Sequence, residues 1–294
     1  MSNKTTVVEA HAKINLTLEL LGTRPDGYHE LRSVVLPISL CERVEASPRE
    51  DGRITCSTTL DGVPFFDMGS VPPGANLAEK AARALRERTR CALGADLRMV
   101  KRVPVGAGLG GGSADAAGAL HALNRLWGLG LSAEELAEIG ATFASDVPAM
   151  ALGGAVLMEG RGERVRRLAM PDDAPPIWFV LAFCGEPIST REVYGTCPEV
   201  AEAPEGTTDA MAAAVARGDA EAVARNVFNG LQATVFARHP RTAAIAAALS
   251  DAGALATLLS GSGGTVYGIA RDEAHARVIA AALPADLWHA EVHG

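Results

Sequence analysis

Hydrophobic and polar residues alternate near the start of the chain. From Val7 to Leu20, Ala12, Ile14, Leu16, Leu18 and Leu20 fall on one side and Lys13, Asn15, Thr17 and Glu19 on the other, the period-two pattern of a strand. Such a strand sets Lys13 and Asn15 about 7 Å apart on one face. Arg24-Pro25-Asp26-Gly27-Tyr28-His29 follows, and Pro-Asp-Gly predicts a turn that presents an aromatic ring beside an imidazole. Further on, the pattern predicts a helix from Leu77 to about Arg90, opened by Gly74-Ala75-Asn76 with Asn76 as N-cap. A strand over LRMVKRV is next, then a helix capped by Ser113 in which Ala116, Leu120, Leu123 and Trp127 recur at helical spacing. Ser132 to Glu135 reads as a capping box opening a helix that ends near Ala144. Ser145-Asp146-Val147-Pro148 starts another, with Pro148 suited to its first turn. A hairpin-like AVLMEGRGERVRRL and the Pro-rich, acidic MPDDAPP lead to a strand, IWFVLAF. An alanine-rich helical stretch runs from Thr207 to Leu249, and a second glycine turn, Leu258 to Thr265, enters the strand TVYGIA.

Composition narrows the class. A chain of 294 residues is long enough for two domains. With 48% hydrophobic but only 4% aromatic residues, its core must be built from Ala, Leu, Val and Ile. A net charge of −8 argues against a nucleic-acid or anionic-membrane surface. No apolar run approaches a membrane span, and MSNKTTVVEA lacks a signal-peptide core, so a cytoplasmic location is expected. Cys41, Cys56, Cys91, Cys184 and Cys197 are scattered and never form a Cys-x-x-Cys pair, as expected of reduced thiols rather than disulfides or zinc ligands.

The chemistry centres on Pro104 to Leu120, PVGAGLGGGSADAAGAL, where Gly106, Gly108, Gly110, Gly111 and Gly112 precede a helix. Glycines let backbone N–H groups approach a ligand, and a helix N-terminus favours negative charge. Phosphate binding follows. Gly110, in mid-run with no side chain to offer, is the position where close backbone approach best explains a glycine. A dinucleotide fold needs an acid at a strand end some 20 residues on, yet LSAEELAEIG reads as helix. A Walker A loop needs a lysine after the glycines, and a protein kinase needs VAIK, HRD and DFG segments; none is present.

The Pro-x-x-x-Gly-Leu-Gly-Gly-Gly-Ser segment resembles the phosphate loop of the GHMP kinases. Lys13-Ile14-Asn15-Leu16 followed by Asp26-Gly27-Tyr28-His29 is similar to the N-terminal signature of the branch that phosphorylates a diphosphocytidyl-methylerythritol. The resemblance covers nearly the whole chain. It implies a two-domain α+β GHMP kinase fold with the active site in the interdomain cleft, an N-terminal ATP-binding domain over 1–165 and a C-terminal domain over 166–294.

The resemblance also assigns roles. Asp146, in Asp-Val-Pro, is the catalytic base and Lys13 its partner. Asn15, Tyr28, His29, Thr190 and Tyr194 border the substrate, with Tyr28 and His29 at its cytidine end. Asn76, Leu77 and Lys101 border the adenine, although Ala75 stands where the family more often has an acid. Pro104, Val105, Gly106, Ala107, Gly108, Leu109, Gly110, Gly111, Gly112, Ser113 and Ala114 hold ATP. Mg2+ bridges the phosphates, with Ser113 as candidate ligand, and the second glycine turn packs near the phosphate loop. A cytidine diphosphate methylerythritol is the implied substrate, with no nucleic-acid or membrane partner, and a monomer or weak homodimer is the expected assembly. Two other readings stay open at this point, another small-molecule GHMP kinase and a nucleotide-binding pseudokinase. A hydrolase is disfavoured by the lack of a Gly-x-Ser-x-Gly elbow or metal-ligand cluster.

Overall fold

Strand β1 (Thr6–Asn15) ends one residue before β2 (Thr17–Thr23) begins, so the strand expected from Val7 to Leu20 is two. The intervening Leu16 donates its N–H to Val34 O (2.8 Å) and accepts from Phe228 (3.2 Å), which satisfies the backbone where the chain bends. The rest of the first half comprises β3 (His29–Arg49), β4 (Ile54–Leu60), α1 (Leu77–Thr89), β5 (Gly94–Lys101), α2 (Gly111–Trp127), α3 (Ala133–Ala141) and α4 (Val147–Leu152). There follow β6 (Val156–Gly160), β7 (Arg164–Arg167), β8 (Trp178–Phe183), α5 (Thr190–Tyr194), β9 (Val200–Ala201), α6 (Thr207–Ala216) and α7 (Ala220–Asn226). The chain closes with β10 (Phe228–Asn229), α8 (Gln232–Arg238), α9 (Pro240–Asp251), β11 (Thr257–Leu259), β12 (Thr265–Ala270), α10 (Glu273–Ala282) and β13 (Trp288–His293). This computed structural model describes residues 5–63, 75–171 and 173–294; Gly74 at the opening of α1 and Asp172 in the Pro-rich stretch lie outside them.

Two compact units form, one from Met1–Ala12, Leu40–Val105 and Gly110–Gly153, the other from Lys13–Ser39, Gly106–Leu109 and Gly154–Gly294. Strands β1 and β3 each run through both, so neither unit is a contiguous stretch of chain. A cut between residues 165 and 166 falls inside β7.

In the first unit, the end of β3 pairs antiparallel with β5, from Arg43↔Val100 to Arg49↔Gly94, and β4 lies parallel to β5. Helix α1 carries a stripe of buried Ala78, Ala81, Ala82 and Leu85, and the Asn76 side chain caps it by accepting from Ala78 N at 2.9 Å. Helix α2 starts earlier than expected. Its N-cap is Gly110 in the left-handed conformation (φ 72°), and Ser113 stands within its first turn. Gly118 lets α2 lie close to the strands, since a Cβ there would fall 2.7 Å from Val44 Cγ2 and 2.9 Å from Ala10 Cβ. Both bonds of the Ser132–Glu135 capping box form at α3, which ends at Ala141, short of Ala144. Helices of this length draw most of their stability from such packed faces.

In the second unit, β2 and the start of β3 form a hairpin across the Pro-Asp-Gly turn, β3 pairs with β6 over Leu31–Val35, and β6 with β7 is the expected hairpin. A separate antiparallel sheet has the order β11-β12-β8-β13. Phe179, Phe183 and Tyr267 are buried on it, with Phe179 edge-on to Tyr267 at 5.6 Å. The stretch from Thr207 to Leu249 is not wholly helical, because β10 interrupts it to pair parallel with β2 at Thr17 and Leu18.

Candidate active site

The glycine loop owes its shape to two kinds of glycine. Gly106, Gly108 and Gly110 have φ of 70°, 79° and 72°, a region costly to residues with a Cβ. A Cβ on Gly108 would also meet Ser260 O at 2.2 Å, and one on Gly111 would meet Glu42 Oε1 at 3.0 Å. Gly110 is therefore required by the chain's own path as N-cap, which accounts for it without any ligand. Gly112 is different. It is exposed, its φ is ordinary, and a Cβ there would meet only Leu77 Cδ1, at 3.7 Å. The loop's carbonyls from Gly106 to Leu109 are all engaged by the chain itself. Gly106, Ala107, Gly108 and Leu109 accept from Ile188 N (3.3 Å), Thr265 N (3.0 Å), Ser260 Oγ (3.0 Å) and Lys13 N (3.0 Å). Among the described residues, no N–H from Gly106 to Ser113 donates to another group. A run of free amides opening onto a helix N-terminus is an anion cradle.

Lys13 and Asn15 lie against the second glycine turn. Lys13 Nζ donates to Asn15 Oδ1 at 2.7 Å, and Asn15 Nδ2 to Ser33 Oγ at 2.8 Å. Both residues are buried, as are Thr17 and Glu19, so this face is no solvated surface. Ser33 Oγ donates to Thr17 O at 2.5 Å, Val34 N to Thr17 Oγ1 at 2.9 Å, and Thr208 bonds Glu19. The strand is held from below by the buried Tyr267 hydroxyl, which donates to Asn15 O at 2.9 Å. A Cβ on Gly261 would come 3.2 Å from Lys13 Nζ. Asn229, which the sequence reading passed over, fixes this turn. Its Nδ2 donates to Leu259 O and Gly261 O, each at 2.8 Å, while Oδ1 accepts from Leu231 N. Its signal was the Asn229-Gly230 pair, which reads equally as a plain turn.

The short helix α5 joins two parts of this unit. At its start Thr190 Oγ1 meets Ser262 Oγ at 2.9 Å; at its end the Tyr194 ring lies 5.4 Å from that of His29. Tyr28, beside His29, is 52% exposed. The turn below it is closed by Arg24 N→Tyr28 O (2.7 Å), Gly27 N→Arg24 O (2.9 Å) and Tyr28 N→Asp26 Oδ1 (3.2 Å). That last bond, ahead of Arg24, holds the Asp26 carboxyl below its ordinary pKa. Arg161, unremarked in the sequence, places its guanidinium 5.3 Å from the Tyr28 ring centre, a cation–π distance.

The remaining candidates lie in the first unit. Asp146 stands half-buried at the N-cap position of α4 in helical conformation, and its carboxylate makes no capping bond. Its side chain therefore does not serve the helix it precedes. The Asn76 amide oxygen does cap its own helix. Lys101 is buried in an ion cluster, with its ammonium 2.6 Å from Asp115 Oδ2 and paired also with Glu42. Burial opposes its charge, but Asp115 and then Glu42 outweigh it and raise its pKa. Burial pushes the Asp115 carboxyl up to about 7, with Lys101 opposing and Glu42 adding to the rise. Among the described residues, no group of three His, Cys, Asp or Glu side chains is set to hold a metal, and no helix is long and apolar enough to cross a membrane.

Residues 76–154 match the GHMP kinases N terminal domain, and residues 211–289 match the GHMP kinases C terminal domain. The chain is 43% identical over 290 residues to a 4-diphosphocytidyl-2-C-methyl-D-erythritol kinase of Symbiobacterium thermophilum, covering 96% of this chain and 97% of that protein. A protein of the same name from Pelotomaculum thermopropionicum is 42% identical, with 92% and 91% covered. A crystal structure of a 4-(cytidine 5'-diphospho)-2C-methyl-D-erythritol kinase superposes with a TM-score of 0.75 at 32% identity, covering 98% of this chain and 99% of that one. Homoserine kinase from Cytophaga hutchinsonii, at 18% identity and a TM-score of 0.78 over 100% of this chain and 96% of that one, shares the fold.

Proposed function

We propose a mechanism from one premise: the chain belongs to the 4-diphosphocytidyl-2-C-methyl-D-erythritol kinases, a branch of the GHMP kinases. It transfers a phosphoryl group from ATP to 4-diphosphocytidyl-2-C-methyl-D-erythritol, a step of the methylerythritol phosphate route to isoprenoids. The acceptor on our reading is the 2-hydroxyl, a tertiary alcohol and a crowded nucleophile. Asp146 takes its proton as general base, and the Lys13 ammonium orients the hydroxyl. The free amides of the glycine loop and the α2 N-terminus bind the ATP phosphates and offset charge on the transferring group. That row of amides is the observation that carries the ATP assignment.

Tyr28 stacks on the cytosine, His29 bonds its edge, and Asn15, Thr190 and Tyr194 border the rest of the substrate. Asn76, Leu77 and Lys101 border the adenine, Lys101 through its stem because its ammonium is engaged. Mg2+, when bound with ATP, would supply positive charge that offsets the phosphates. Ser113 is its candidate protein ligand, and one hydroxyl suffices for an ion that shares phosphates and water. ATP binding falls to residues 1–165 and the second GHMP domain to 166–294. We place the enzyme in the cytoplasm, in keeping with five unpaired cysteines, as a monomer or weak homodimer. ADP release tests the assignment: turnover with the diphosphocytidyl substrate and none with mevalonate, homoserine or galactose is expected. Equal turnover with any of the latter three overturns it.

A further inference from the structure

Glu42 is charged yet fully buried, with 0% of its surface exposed. A carboxylate is placed there at a considerable desolvation cost, so its partners matter. Oε2 accepts from Arg102 N at 2.6 Å and Val103 N at 3.4 Å, the two residues that lead out of β5 into the glycine loop. Oε1 pairs with the Lys101 ammonium and lies 3.0 Å from where a Gly111 Cβ would stand, at the first residue of α2. Lys101 in turn bonds Asp115 Oδ2 at 2.6 Å, one turn further along that helix. One carboxylate thus touches the entry and the exit of the loop. The ladders of β5 end at Val100 and Lys101, so the Arg102 and Val103 amides, past the strand, are left to this carboxylate.

We propose that Glu42 is a positioning residue for the glycine loop, fixing where it begins and ends so that its amides converge on the ATP phosphates. The proposal rests on the reading of that loop as the ATP site. Glu42→Gln is the informative variant. It leaves Lys101 balanced by Asp115, but a single amide oxygen cannot accept from both the loop-entry N–H groups and the ammonium.

Calorimetry on the full chain measures Kd for ATP and for the diphosphocytidyl substrate, and hydrogen exchange follows the Arg102 and Val103 amides. Glu42→Gln should raise the ATP Kd tenfold or more, leave the other Kd within twofold, and speed exchange at both amides. A merely structural role would lower the melting temperature and the active fraction while moving neither Kd, and that result overturns the proposal. Should Glu42→Gln fail to fold, Gly111→Ala presses on Glu42 and Val103 without altering charge. It should weaken ATP several-fold, and an ATP Kd within twofold of the parent is equally fatal. Where both variants fold, their effects on ATP should be strongly non-additive, as for residues acting through one contact; additive effects would mean Gly111 acts without Glu42. A parent protein that does not bind ATP at all would instead refute the reading of the loop.

Discussion

Gly112→Ala separates the two reasons for a glycine in the loop. The position is exposed, has no positive φ, and gives a new Cβ only a 3.7 Å contact with Leu77 Cδ1. The fold therefore has no objection to alanine. Replacing a helical glycine by alanine gains about 0.8–1.0 kcal/mol in a helix interior. At the second residue of α2, about 0.5 kcal/mol is a fair expectation, or roughly 1–2 °C in melting temperature for a chain of this size. The opposite sign is expected for ATP. If a phosphate oxygen rests on the amides of the first turn of α2, the methyl group pushes it off at least one charge-assisted hydrogen bond. Such a bond is worth about 1.5–3 kcal/mol, so the ATP Kd should rise at least tenfold. Differential scanning calorimetry and titration on one preparation read both quantities. Gly108→Ala is the contrast: its Cβ would sit 2.2 Å from Ser260 O, and stability should fall sharply. An ATP Kd within twofold of the parent for Gly112→Ala would refute the placement of phosphates at α2.

Three further outcomes are expected. Asp146→Asn should fold and bind ATP but lose transfer by about a hundredfold or more, the scale of general-base catalysis, and near-parental turnover would remove Asp146 from that role. Tyr28→Ala should weaken the diphosphocytidyl substrate by roughly 1–3 kcal/mol, by analogy with stacked bases on aromatic residues, and leave ATP untouched; equal weakening of both ligands in calorimetry would make the ring structural. Asp115→Asn addresses pH. With its folded pKa raised to about 7 from 3.8, the folded state holds the proton longer than the unfolded one. Asp115 therefore subtracts stability progressively from about pH 4 to pH 7. The variant should gain on the parent in urea midpoint as pH rises through that window, and a constant difference would contradict the assignment.

Local signals in the sequence were read well where the structure is local. The Ser132–Glu135 box and the Asn76 cap form as the residue types dictate, and alternation did set Lys13 and Asn15 on one side, closely enough for a direct bond. Alternation could not tell that the polar side is buried too. Ser33 and Thr208, which satisfy Asn15 and Glu19, lie 18 and 189 residues away along the chain. The start of α2 was placed at Ser113 because serine is a good cap, whereas the chain enters through the left-handed Gly110, a choice set by the loop's backbone path. Glu42 shares the side of β3 that carries Val44 and Ala46, so alternation puts it inward, where a carboxylate has no partner nearby in sequence to account for it. Only the fold brings up those partners, Lys101 and the loop-entry amides, some 60 residues on in the chain.

At the crossing of the two glycine turns, the Ser260 hydroxyl bonds Gly108 O, but the closest approach is between backbones. A Cβ on Gly263 would stand 2.1 Å from Gly108 N, and one on Gly108 would stand 2.8 Å from Gly263 N. Main chain rests on main chain, so neither position can drift to alanine and be rescued by a compensating change at the other. The two turns, 155 residues apart in sequence, are therefore inherited as one part. Transplanting the glycine loop into a new scaffold without its distant companion would graft half of a joint.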